Sequence, residues 1–162
     1  MKRIGIGLLA AWAVSTPAQA RDSLGVFGGW GAFHDPATPR CYAIAEPVRT
    51  SSGKAGWRAF ASVGTWPKQR IRGQLHIRLS RERTAQAKVY LSIGERRFAL
   101  SAGAADAWAQ DARMDAAIIA AMRSASTMSI ESTAANGRAF SDLYALKGAA
   151  TAMDAAALGC AR

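Results

Sequence analysis

Gln74-Leu75-His76-Ile77-Arg78-Leu79-Ser80 decides how the chain is read. Leu75, Ile77 and Leu79 alternate with His76 and Arg78, and only an extended strand turns that period of two into one apolar face and one wet face. A helix would scatter the same residues around its surface. The alternation returns from Lys88 to Ile93, with Val89, Leu91 and Ile93 inward. Gly94-Glu95 then turns the chain into Arg97-Phe98-Ala99-Leu100, which makes a hairpin.

Upstream of this centre, Trp30 to His34 reads as a strand closed by the turn formers Asp35-Pro36 and Thr38-Pro39. Cys41 to Val48 reads as a second strand, and Trp57 to Trp66 as a third that Pro67 stops. Downstream the texture changes. Between Asp111 and Ser124 the apolar residues Met114, Ile118 and Met122 recur at helical spacing, with Asp111 placed to cap the start and Arg123 in the last turn. Thr127 to Thr133 and Arg138 to Leu146 flank Asn136-Gly137, a tight-turn signal. Gly148 to Leu158 closes the chain as an Ala-rich helix. The expected fold is mainly β with two helices, a single domain built as an antiparallel β-sandwich or curled sheet.

The first residues carry an address. Met1-Lys2-Arg3 is cationic, Ile4 to Val14 is apolar and uncharged, and Ala18-Gln19-Ala20 has the small-x-small pattern of a cleavage site. Residues 1–20 therefore read as a secretory signal peptide cleaved after Ala20, leaving 21–162 as one exported β-rich domain, periplasmic or secreted. The apolar run is shorter than the roughly 20 residues that span a bilayer, and no later stretch is free of charge or glycine for long enough. A membrane-spanning protein is not expected. The chain carries a net charge of +10, which loss of the two cations Lys2 and Arg3 lowers to +8. Such a surface suits an anionic envelope lipid, a polysaccharide or a protein partner, while export argues against nucleic acid.

Export also gives meaning to Cys41 and Cys160, the two cysteines of the chain. In an oxidising compartment an even pair is expected to form a bridge. There is no Cys-x-x-Cys and no neighbouring histidine to indicate a reactive thiol.

The order of the segments resembles the invasion-associated locus B family of exported bacterial proteins. The resemblance is carried by Trp30, Cys41-Tyr42, Leu91-Ser92-Ile93-Gly94, Met128-Ser129-Ile130, Gly137, Leu146-Lys147-Gly148, Ala152 and Asp154. It implies an exported β-rich protein linked in some bacteria to host-cell entry, and it transfers no catalytic residue.

The residues themselves point the same way. Ser51-Ser52-Gly53-Lys54 has the Ser-x-x-Lys spacing of penicillin-recognising enzymes, but it sits in a Gly-containing loop without their Ser-Asp-Asn or Lys-Thr-Gly partners. The two histidines, His34 and His76, adjoin no nucleophile motif and lack metal-ligand spacing, so both read as surface residues. The carboxylates are scattered. A non-enzymatic protein is expected, with no metal and no cofactor; an unrecognised hydrolase is the remote alternative. The densest charge is Lys68, Arg70, Arg72, Arg78, Arg81 and Arg83, opposed only by Glu82. These six are the candidate anion- or partner-binding residues, although cations on exposed strands also deter edge-to-edge pairing. An inhibitor-like or accessory module would instead use a loop such as Pro36–Arg40 or Ser51–Gly56. Most of the mature chain's aromatics are expected in the core, with Trp66, beside Pro67, the one expected to be exposed.

Overall fold

A computed structural model describes residues 21–51 and 57–161. The signal peptide expected over 1–20 and most of the Ser51–Gly56 loop, Lys54 included, lie outside the described residues. The rest forms one large antiparallel sheet with two helices on its inner face.

The strands are β1 (Asp22–Phe27), β2 (Trp30–Asp35), β3 (Arg40–Ala45), β4 (Arg49–Thr50), β5 (Phe60–Trp66), β6 (Ile71–Arg78), β7 (Val89–Ile93), β8 (Arg96–Ala102), β9 (Asp106–Trp108), β10 (Thr127–Thr133) and β11 (Ala139–Ala145). Helix α1 is Ala112–Ser124 and α2 is Ala149–Gly159. The spatial order is β1-β2-β3-β5-β6-β9-β8-β7-β10-β11-β4. The alternation in β6 and β7 does what its period requires. Leu75, Ile77, Leu79, Val89 and Leu91 are fully buried, and Gln74, His76 and Arg78 face the other way.

The sheet curls strongly. Trp30, on a strand next to one edge, donates its indole N–H to the carbonyl of Ala145 at the end of β11, next to the other edge, at 2.9 Å. One core therefore runs from Trp30 through Ile77 and Ile130 to Tyr144. Helix α2 packs on β1, β2, β3 and β5, and α1 on β6, β7 and β8. Asp111 caps α1 by accepting from the Met114 N–H at 2.7 Å, as its position implies. Asp115 turns inward and accepts the Leu75 N–H at 2.8 Å, where β9, paired only with His76 to Arg78, no longer covers the edge of β6.

Cys41 and Cys160 are joined, with their Cα atoms 5.7 Å apart across a separation of 119 residues, so the bridge ties β3 to the end of α2. The strand read from Cys41 to Val48 stops at Ala45. Pro47 has no N–H to give a ladder, and Arg49–Thr50 crosses to the opposite edge to pair with Asp142 and Leu143 of β11. Ser51 continues that pairing through the Ser141 backbone. Trp66 is only half-buried, its ring laid against Gly64, and Trp108 is the more exposed indole at 36%.

Candidate functional site

The chain between β5 and β6 makes a tight turn, a single 3-10 turn over Pro67–Gln69, and it leaves that turn through Arg70. Arg70 has φ 57° and ψ 23°, and its N–H donates to the Pro67 carbonyl at 3.1 Å. Among the described residues it is the one non-glycine residue with a positive φ. In that left-handed conformation Cβ crowds the following carbonyl, which costs an ordinary residue roughly 1–2 kcal/mol and glycine almost nothing. Two residues on, Arg72 is exposed at the start of β6.

Arg70 and Arg72, both exposed, are among the residues that line a cavity of about 910 Å³. Its walls come from β5 (Val63, Thr65), α1 (Ile119, Arg123) and the end of α2 (Met153, Ala156, Ala157 and Leu158, with Cys160 just after). Gly73 lets the floor close: it has φ +70°, and a Cβ there would lie 2.7 Å from the tip of Ile119. Arg123 donates to both carboxylate oxygens of Asp154, at 2.6 and 3.2 Å, which holds the Asp154 carboxyl below the usual carboxylate range and neutralises that side of the rim. Neither Arg70 nor Arg72 has an acidic partner among the described residues.

The six cations singled out in the sequence thus separate into two groups. Lys68, Arg70 and Arg72 are exposed together at the β5–β6 turn. Arg78 ends β6 and Arg81 and Arg83 follow it, some 20 Å from Arg72 to Arg78 at about 3.3 Å per residue. Arg78 donates to Asp106 at 2.5 Å and stacks on Trp57, 4.8 Å from the ring centre. The charge of Arg81 acts on Asp142. Arg83 donates to the carbonyls of Thr84, Ala85, Ala87, Ala102 and Gly103 at 2.7–2.9 Å, which pins the 84–87 turn to the end of β8.

His76 donates through Nε2–H to the Asp106 carboxylate at 2.9 Å and stacks on Trp108, ring centres 5.3 Å apart. The nearby hydroxyl of Ser62 donates to the His76 backbone carbonyl at 3.4 Å instead of to the ring. His34 lies 3.3 Å from the exposed Asp22. Neither histidine lines the cavity. In the Pro36–Arg40 loop, the Thr38 side chain leads in holding the Asp35 carboxyl below the ordinary value, and the Thr38 N–H, which Asp35 accepts at 3.3 Å, adds to it together with Arg40 and Arg21. Among the described residues no group of three His, Cys, Asp or Glu stands close enough to hold a metal, and no helix is long and apolar enough to cross a membrane.

Two features of this site were missed in the sequence. The cavity is assembled from four separate elements, so no local pattern announces it. The left-handed backbone of Arg70 occurs where turn chemistry leads one to look for Gly or Asn.

Residues 35–157 match the family model described as Invasion associated locus B (IalB) protein. No curated protein and no solved structure matches the chain.

Proposed function

We propose that this chain, which belongs to the invasion associated locus B family, is an exported, non-enzymatic binding protein that captures an anionic component of the cell envelope at Arg70 and Arg72. One observation carries the reading. Arg70 holds a strained backbone that a glycine would occupy at little cost, and it does so at a cavity with no acidic residue to satisfy it. Strain kept at a concave site is a feature of functional positions, and here it supports a role for the guanidinium in what enters. Arg72 beside it doubles the positive field, and Lys68 extends it along the surface.

Export is supported by the leader pattern at 1–20 and by the Cys41–Cys160 bridge, since such bonds persist in oxidising compartments. The absence of catalysis is supported by what the histidines do: His76 is engaged by Asp106 and Trp108 away from the cavity.

The test is binding of the purified protein to vesicles containing an anionic phospholipid, and to purely zwitterionic ones, at rising salt. Binding is expected to the anionic vesicles only, to weaken with salt, and to fall at least tenfold in the double variant Arg70→Gln, Arg72→Gln. Equal affinity for both vesicle types, or no effect of the double variant, would overturn the reading.

A further inference from the structure

We infer that the cavity takes a single-chain anionic amphiphile, its acyl chain lying along α2 and its carboxylate or phosphate head on Arg70 and Arg72. The inference rests on the proposal of anion capture at those two arginines and adds the rest of the cavity lining.

A bare anion would use only the two guanidiniums. Apart from the arginines the lining is largely apolar, with Val63, Ile119, Met153, Ala156 and Leu158 among its residues. Thr65, the hydroxyl among the lining groups, already accepts the Gly73 N–H at 3.4 Å. Arg123 is held by Asp154, so the charge available to a ligand is concentrated at the Arg70–Arg72 side. A volume of about 910 Å³ falls within the ~300–1,000 Å³ typical of small-molecule sites, which are likewise apolar with a few polar groups that fix orientation.

The α2 wall is built for a slender guest. Small side chains at Ala156 and Ala157 keep the space open where a larger residue would fill it. Leu158 stands at the rim with 65% of its surface exposed and carries the apolar wall out to solvent. The ligand therefore has one polar end and one long apolar end. An extended polysaccharide offers no apolar segment for this wall.

The experiment is calorimetric titration of the protein with alkyl phosphates and alkyl carboxylates of increasing chain length, each below its micelle-forming concentration. Affinity is expected to rise about fourfold per added methylene until the cavity is full. The two series identify the preferred head group. Arg70→Gln with Arg72→Gln should weaken every member of the favoured series by a similar factor. Ala157→Trp, at an exposed position on the rim, should flatten the chain-length dependence. If that variant fails to fold, the wild-type series alone decides.

Arginine-dependent vesicle binding without any chain-length dependence would overturn this inference and leave anion capture standing. Chain-length dependence indifferent to the two arginines would overturn this inference, and vesicle binding equally indifferent to them would overturn both. Absence of binding to alkyl ligands and vesicles alike would also overturn both.

Discussion

Cys160, at the end of α2, is bonded through sulfur to Cys41, a residue of β3 that is 1% exposed. Cys160 also lines the cavity, so the bridge fastens the wall of the candidate site to a buried position of the sheet. Replacing both cysteines by serine should lower stability by up to roughly 5 kcal/mol, the chain-entropy value for a loop of this length. A shift of the urea midpoint measures it. Where the variant is still folded, affinity for long-chain alkyl ligands should also fall, because the end of α2 that lines the cavity is freed.

Arg83 and Arg70 should respond to mutation in opposite ways. The Arg83 guanidinium satisfies five backbone carbonyls around the 84–87 turn. Arg83→Gln leaves most of them without a donor and should cost about 2–4 kcal/mol, as loss of a hydrogen-bonded charge does. Vesicle binding, measured where the variant is folded, should be unchanged. Reduced binding with unaltered stability would show Arg83 to be a ligand contact.

Gly148 joins β11 to α2 at a point where only glycine fits. It has φ +88°, and a Cβ on it would lie 1.9 Å from the Phe27 carbonyl oxygen, which belongs to the backbone. Gly148→Ala should therefore destabilise by several kcal/mol, whereas Gly137→Ala, with open space around it though also at positive φ, should cost only about 1–2 kcal/mol. Thermal unfolding of the two variants side by side checks the ranking.

The pH dependence of stability has a buried source. Asp142 is fully buried, and accepts from the Ser80 N–H at 3.0 Å and hydroxyl at 2.5 Å. Burial pushes its carboxyl above the ordinary value of 3.8, against the Ser80 bonds and the Arg81 charge. A raised folded-state value means that the folded protein holds the proton longer than the unfolded chain. The contribution is thus fully present at pH below 3.8 and is lost as pH rises through the folded-state value. Asp142→Asn, which can keep both Ser80 bonds, should remove that decline. Unfolding free energies between pH 4 and 7 should fall less steeply in the variant than in the wild type. Asp154, held down by Arg123, acts in the opposite sense and loses its contribution on acidification.

Much of this architecture is legible in the sequence because it is written in local periods. Leu75-x-Ile77-x-Leu79 has to be a strand with a core face, and Met114, Ile118 and Met122 have to share a helix side. β1 and β9 leave no such trace. β1 carries Gly25 at a bulge and ends at Gly28-Gly29, so its alternation is broken, and β9 is three residues long. The site is less legible for a different reason. A guanidinium looks the same in sequence whether five carbonyls hold it, as in Arg83, or it faces an open cavity, as in Arg70. Only the three-dimensional partners separate the two, and the outer-face contact of His76 with Asp106, 30 residues apart, is hidden in the same way.

The central claim is that Arg70 is kept in a strained backbone for the sake of binding. Arg70→Gly tests it most directly, with unfolding free energy and affinity for anionic vesicles measured on the same preparation. Relief of the left-handed strain, less the entropy of an added glycine, should make the variant more stable by roughly 0.5–1 kcal/mol. Its affinity should drop about tenfold. Unchanged affinity, or a loss of stability, would contradict the account.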